Sequence, residues 1–203
     1  FKQFRKRISD IETVSLSPPS TATRRNLDVS KAHSRSQEME RVQDAFRETV
    51  MSVDHYDEMY DESLDEHMEI EISPEIAAGV RQETNASFTD SYKSALIVGV
   101  DSAISQRETV CKTLRAELQS IDANRIELVK MLDACDGPIV PVQCRSDFEI
   151  KLEKVAERRQ QTIQTRKPSS QTNGHELCQY LYQDHAWTYP VLTAITKFRE
   201  VIS

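Results

Sequence analysis

The side chains in this sequence that are best suited to chemistry are its 33 carboxylates and five histidines. In a helical protein these residue types form di-iron sites when a glutamate stands three residues before a histidine, because both ligands then project from one face, one turn apart. None of the five histidines has a glutamate at that distance. The corresponding positions hold Ser30, Ser52, Leu64, Thr172 and Tyr182. The spacing therefore argues against a di-iron centre.

Nine of the carboxylates fall in residues 54–71, which contain no lysine or arginine. The net formal charge of the chain is −7, and this acidic segment accounts for all of the excess of acidic over basic side chains. Outside it the chain has 24 acidic and 26 basic side chains. A calcium loop of the EF-hand type needs a central glycine among its oxygen ligands, and the segment has none. We interpret it as a solvated acidic face that could repel nucleic acid or attract a basic partner, and cation binding stays open.

His175, Cys178 and His185 have metal-ligand side chains in the order H-x2-C-x6-H. A structural zinc ion needs four ligands, at tighter spacing than this. With four glycines the chain can hardly form a phosphate-binding loop either. We therefore predict no metal, no cofactor and no enzyme activity. A catalytic triad assembles in space from distant residues, so an enzyme with such a site stays open as the last of three alternatives.

Aromatic side chains make up only 6% of the chain, and most of the tyrosines lie in two regions. Tyrosine and tryptophan are enriched in the cores of protein interfaces, so these two regions could form an interaction patch. Its candidate residues are Tyr56, Tyr60, Tyr180, Tyr182, Trp187 and Tyr189. The alternative, which we favour, is that the two regions pack against each other, because so few aromatic rings are available to any core.

The carboxylate, histidine and aromatic side chains must be positioned by helices. The longest helix is predicted at Thr89–Asp133. Apolar residues there recur at steps of three and four, which keeps them on one side of a helix and predicts a seam covered by neighbouring helices. The seam residues are Val100, Ile104, Cys111, Leu114, Leu118, Ile121, Leu128 and Leu132. Arg107 and Arg125 interrupt the seam and indicate an edge, because a long arginine side chain keeps its guanidinium in water.

Helix starts are predicted where a capping side chain precedes an apolar periodic stretch. They are expected at Ser36, Asp54, Ser73-Pro74, Ser87 or Thr89, the capping box Ser146–Glu149, Asn173 with Glu176, and Thr188–Pro190. Gly137-Pro138 is expected to end the long helix.

These signals divide the chain into five segments. They are 1–13, the end of an N-terminal coiled-coil helix with its seam at Phe1, Phe4, Ile8 and Ile11; 14–35, a flexible linker containing Arg24 and Arg25; 36–86, a helical head; 87–166, a long antiparallel helical hairpin; and 174–203, short helices that pack on the head.

The fold class that follows is all-α, an elongated antiparallel coiled coil or helical bundle with a small helical head. Four glycines and seven prolines in 203 residues disfavour a turn-rich β fold. No apolar run approaches the roughly 20 residues that cross a bilayer, so no membrane association is expected. The four cysteines lie far apart, which is typical of a reducing compartment and predicts a cytoplasmic protein without disulfides.

Short runs resemble an uncharacterised family of helical, coiled-coil-containing proteins from halophilic archaea, a domain of unknown function. The runs are Phe46–Met51, His55–Glu58, Glu66–Met68, Tyr180–Tyr182 and Thr188–Leu192. The resemblance implies an archaeal, all-helical protein whose relatives begin with a longer N-terminal coiled-coil helix. That family has no assigned activity, so the resemblance transfers no functional residues.

The long seam, with no chemistry on it, predicts a non-enzymatic interaction or scaffold protein that binds a protein partner or itself. A second hypothesis is a DNA-associated regulator that uses the basic linker around Arg24 and Arg25 and the short terminal helices. The acidic balance, and the lack of a helix rich in Arg, Lys and Asn, make nucleic acid the less favoured partner.

Overall fold

The computed structural model describes residues 1–14, 27–81, 87–134, 142–166 and 173–202, and every regular element in these ranges is a helix. This confirms the predicted all-α fold. The helices are α1 (Lys2–Asp10), α2 (Leu27–Thr49), α3 (Tyr56–Met59), α4 (Leu64–Glu71), α5 (Pro74–Val80), α6 (Asp90–Asp133), α7 (Val142–Thr165), α8 (Gly174–Tyr182) and α9 (Pro190–Ile202). By its contacts the chain divides into unit 1, Phe1–Glu108, and unit 2, Thr109–Ser203.

The predicted long helix is confirmed as α6, which begins in unit 1 and ends in unit 2. Of the two candidate capping hydroxyls, Thr89 makes the bond: its Oγ1 accepts from the backbone N–H of Tyr92 at 3.2 Å. Gly99 is the one glycine inside α6, and a Cβ at this position would collide with the side chain of Ile72. The predicted stop at Gly137-Pro138 lies outside the described residues.

In unit 1, α1 runs antiparallel to the first half of α6. Lys2 forms an ion pair with Glu108, at 2.5 Å, and Arg5 with Asp101. At the other end of α1, Lys93 donates to the backbone carbonyls of Ser9 and Ile11, at 2.7 Å each. The order of these pairs along both helices is that of antiparallel neighbours.

The core of unit 1 is centred on Phe46 of α2. The rings of Phe1 and Phe4 lie edge-on to Phe46, with centroid distances of 6.2 and 5.1 Å. Apolar side chains from five helices join them in one cluster, because each of these helices turns a seam inward. Its buried members are Phe4, Ile8, Ile11, Met39, Val42, Ala45, Phe46, Val50, Met68, Ile76, Ala77, Val80, Phe88, Leu96 and Val100.

Two expected helix boundaries in unit 1 are wrong. The linker was predicted through residue 35, but α2 is already helical at Leu27, and residues 27–35 contain neither glycine nor proline to prevent it. The single helix expected from Asp54 is two helices, α3 and α4. The break occurs because Ser63 forms a capping box with Glu66.

Unit 2 contains the second half of α6 with α7, α8 and α9. Because α7 already runs at Val142, the predicted capping box at Ser146 lies inside the helix and does not start it. Within unit 2, α8 and α9 both contact α7. The expected packing of residues 174–203 on the head, residues 36–86, stays a prediction. The buried cluster is Leu128, Met131, Phe148, Leu152, Val155, Ala156, Val191, Ile195, Phe198 and Ile202.

Candidate interaction surface

Unit 2 exposes an apolar stripe along α6, which we define as Cys111, Leu114, Leu118, Val129 and Leu132 together with Arg125. All six side chains are exposed, and the exposed fraction of Leu118 reaches 62%. The sequence predicted that neighbouring helices would cover Cys111, Leu114, Leu118 and Leu132. That prediction is wrong for the described chain, whereas Val100 of the same seam is fully buried in unit 1.

The stripe stays open because α7 covers a different face of α6. Glu117, Leu128 and Met131 point towards the buried side, and all three are at most 9% exposed. Leu118 is the next residue after Glu117, so its side chain is turned by about 100° around the helix axis. The stripe therefore borders the covered face and does not belong to it.

An apolar groove adjoins the stripe where α9 lies beside the end of α6. Its volume is about 310 Å³, and its lining is almost entirely apolar. The lining residues are Leu128, Val129, Leu132, Ala194, Lys197, Phe198 and Val201. Contiguous apolar surface of this kind typically marks an interaction site, because isolated exposed apolar residues are common but grouped ones are not.

A buried ion-pair network holds α7 and α8 against α6 beneath this surface. Glu117 and Arg159 are 3% and 1% exposed, and their side chains form a two-bond pair with distances of 2.6 and 3.1 Å. Arg166 adds a third bond to Glu117 at 2.9 Å, and the hydroxyl of Tyr182 donates to Glu117 at 3.2 Å. Ser120 accepts from Arg159 at 3.1 Å.

The electrostatics of this network favour an ionised Glu117. Burial alone would raise the pKa of Glu117, but the hydrogen bonds and charges of Arg159 and Arg166 outweigh burial and hold the pKa below its ordinary value. Burial, followed by the charge of Glu117, raises the pKa of Tyr182 to about 12, so its hydroxyl keeps its proton at neutral pH. Two guanidinium groups thus share one carboxylate.

Unit 1 has a smaller cleft beside a buried histidine. His67 is 3% exposed, and its Nδ1 lies 2.8 Å from an oxygen of Glu62. The rings of Tyr56 and Tyr60 stack at 5.3 Å and both lie within 5.4 Å of the His67 ring. The cleft has a volume of about 200 Å³ and also contains the side chain of Arg107. Just beside it, Asp61 has a φ of 45°, a left-handed conformation that aspartate tolerates.

The six residues of the predicted aromatic patch fall into both units. Tyr56 and Tyr60 belong to the cleft of unit 1, and the other four lie in unit 2. Tyr182 packs near Trp187, with centroids 6.2 Å apart, whereas Tyr180 is exposed. Tyr189 contacts His175, the two polar atoms being 3.0 Å apart. The patch stays a prediction.

The three residues in the order H-x2-C-x6-H each have contacts of their own. His175 contacts Tyr189. Cys178 is buried, and its sulfur lies 3.8 Å from a nitrogen of Arg159. The His185 ring stacks on Trp187. Across the described parts of the chain, no group of three or more His, Cys, Asp or Glu side chains is arranged to hold a metal ion. In the same parts, no helix is both long and apolar enough to cross a bilayer.

The comparison with family models matches residues 1–138 and 142–203 to one family, described as a domain of unknown function (DUF7260). The chain belongs to this family. DUF7260 thus confirms the expected membership of a domain of unknown function, while the halophilic archaeal origin stays a prediction. No curated protein and no solved structure matches the chain significantly. The DUF7260 assignment brings no activity with it, so the surface of unit 2 has to be interpreted from its own geometry.

Proposed function

We propose that this DUF7260 protein is a non-enzymatic interaction or scaffold protein, and that the stripe on α6 is its binding surface. The observation that carries the proposal is the exposure of Leu114, Leu118, Val129 and Leu132 along one line of a helix. Fully burying an exposed side chain of this kind is favourable by roughly 1.5–3 kcal/mol. Covering these partly exposed side chains gives a fraction of that for each, which still provides a driving force for binding.

The groove and the network support this proposal. The groove between α6 and α9 extends the apolar area beyond a single line of side chains. The pair of Glu117 with Arg159 joins α6 to α7, and α7 in turn contacts α9. A rigid surface loses less conformational entropy on binding. A surface that is preorganised and apolar suits docking of another helix.

The elongated antiparallel coiled coil that the sequence predicts is part of this proposal. A helix laid along the stripe would continue the antiparallel pairing that α1 makes with the first half of α6. A cytoplasmic location also stays a proposal. The DNA-associated alternative depends on Arg24 and Arg25, which lie outside the described residues, and gains no further support.

Site-specific photocrosslinking in cells tests the proposal. A photoreactive phenylalanine analogue replaces Leu118, and a matched control places it at Ile70, which is 69% exposed but lies in unit 1, outside the stripe. We expect an adduct with another protein molecule from position 118 and none, or far less, from position 70. Equal adducts at both positions, an adduct only within the same chain, or no adduct at 118 would refute the proposal.

A further inference from the structure

The stripe has a spacing that reads the same from both ends. Its residues stand at 111, 114, 118, 125, 129 and 132, so the steps are three, four, seven, four and three. The midpoint falls between Ile121 and Asp122. Turning the helix end over end therefore brings each stripe position onto another stripe position.

This symmetry matters because two identical helices that pack antiparallel are related by the same operation, a twofold rotation about an axis perpendicular to both helices. With the midpoints aligned, Cys111 of one copy lies at the level of Leu132 of the other, and Leu114 lies at the level of Val129. Every apolar residue then has an apolar residue or a cysteine across the contact, except that Leu118 lies opposite Arg125. A twofold contact of this kind is self-complementary and closed.

We propose that the partner of the stripe is a second copy of this chain, bound antiparallel through α6. This inference rests on the proposed function and names its partner. In unit 1, α1 runs antiparallel to α6 and shares one buried cluster with Val100 of the seam. The first half of α6 therefore already pairs with an antiparallel helix.

The charges on the stripe fit the same arrangement. Arg125 is exposed, and its Nε lies 3.7 Å from a carboxylate oxygen of Asp122 in its own helix, which is a long distance for an ion pair. In the antiparallel pair the guanidinium lies beside Leu118 of the other copy, about one helical turn from the other Asp122. An arginine side chain can span one turn, and its methylenes cover Leu118 while its head pairs with that carboxylate.

The size of the contact predicts a dissociable dimer. From Cys111 to Leu132 the helix is about 32 Å long, and a strip about 10 Å wide along it covers roughly 300 Å² per copy. A stable interface buries about 800 Å² per partner, so the α6 contact alone falls short even when the groove beside α9 is added to it. The dimer should therefore depend on protein concentration.

Disulfide trapping of the whole chain tests the arrangement. In a background carrying Cys135→Ser and Cys144→Ser, the natural Cys111 is kept and Leu132→Cys is added. The two cysteines of one chain are about 32 Å apart on one helix and cannot bond to each other, because a disulfide needs α-carbons within about 7 Å. Under mild oxidation we expect a covalent dimer joined by 111–132 bonds, identified by mass spectrometry of the linked peptides.

Two controls carry one stripe cysteine each: the background with Cys111 alone, and the background with Cys111→Ser and Leu132→Cys. The antiparallel pair keeps identical residues far apart, so neither control should form the covalent dimer. Equal cross-linking of either control, or none in the two-cysteine variant while circular dichroism shows intact helices, would overturn the proposal. If the photoadduct at Leu118 contains a different protein, the second-copy proposal fails and the interaction function stands.

Discussion

The two halves of α6 continue one apolar seam but meet different neighbours. In unit 1 Leu96 and the seam residue Val100 are fully buried in the cluster around Phe46, and α1 runs antiparallel to this half of α6. In unit 2 the seam residue Leu118 is 62% exposed, because α7 packs on the face that carries Glu117. Heptad spacing thus tells which face of a helix is apolar, but it does not tell which part of that face the same chain covers.

The largest loss in the free energy of unfolding is expected from removing the buried carboxylate of Glu117 in the second half of α6. Glu117→Gln leaves the buried Arg159 and the partly buried Arg166 near each other without their counter-charge, and breaking a buried pair costs about 3–5 kcal/mol. Urea unfolding followed by the fluorescence of Trp187, the one tryptophan, reports this loss in unit 2.

Glu127→Gln is the matched control, because its pair with Arg158 at 2.5 Å is exposed and an exposed pair contributes at most about 1 kcal/mol. Equal losses in the two variants would show that the network does not hold unit 2 together.

The comparison itself is tested by shortening one leucine in each half. Leu96→Ala should lower the free energy of unfolding by about 2–5 kcal/mol, because it leaves a cavity in the core of unit 1. Leu118→Ala should change it by about 0.5 kcal/mol or less at concentrations where the chain is monomeric. Both are measured by urea denaturation followed by circular dichroism. A loss of several kcal/mol from Leu118→Ala in the monomer would mean that the chain itself covers the stripe.

The effect of pH sharpens the description of the network. Because the folded pKa of Glu117 is lowered, its stabilisation is fully present above the unfolded pKa of about 4.3 and is lost as the pH falls through the folded value. The difference in stability between wild type and Glu117→Gln should therefore shrink as the pH is lowered below about 4. Denaturation curves over a pH series measure it, and a difference that stays constant into strong acid would argue against an ionised Glu117.

The smallest effect concerns the start of α6 in unit 1. Thr89→Ala removes the oxygen that accepts from the N–H of Tyr92 and should cost about 1 kcal/mol. Ser87→Ala provides the control and should cost less, since Thr89 makes the capping bond. Thermal or urea unfolding compares the two variants, and a larger loss from Ser87→Ala would reverse the assignment of the cap.

Local signals in the sequence were sufficient for much of the fold. The apolar steps of three and four predicted α6, and Asn173 with Glu176 predicted the start of α8, because both signals depend on neighbours within a turn or two. The same reasoning could have found the break between α3 and α4, since Ser63 and Glu66 have capping-box spacing. With helix starts expected only at Asp54 and Ser73-Pro74, the sequence instead predicts a single helix between them.

The features of the candidate surface depend on residues far apart in the chain, so they could not be predicted from the sequence. Glu117 and Arg159 stand 42 positions apart in charged stretches, and nothing near either residue distinguishes it from a solvated side chain. Their burial follows from how α7 docks on α6, which also decides that Leu118 stays exposed. The spacing of the stripe was visible in the sequence, but its meaning depends on that exposure.

The most direct test of the central claim is sedimentation velocity over a range of concentrations, with wild type, Leu118→Arg and Ile70→Arg compared. In the antiparallel pair an arginine at position 118 lies opposite Arg125 of the other copy and repels it, whereas position 70 is similarly exposed but lies in unit 1, outside the stripe. The account predicts that the mass of wild type and Ile70→Arg rises with concentration from one chain towards two, while Leu118→Arg stays at one. A wild type that remains a single chain at every concentration, or a Leu118→Arg variant that associates as well as wild type, would contradict it.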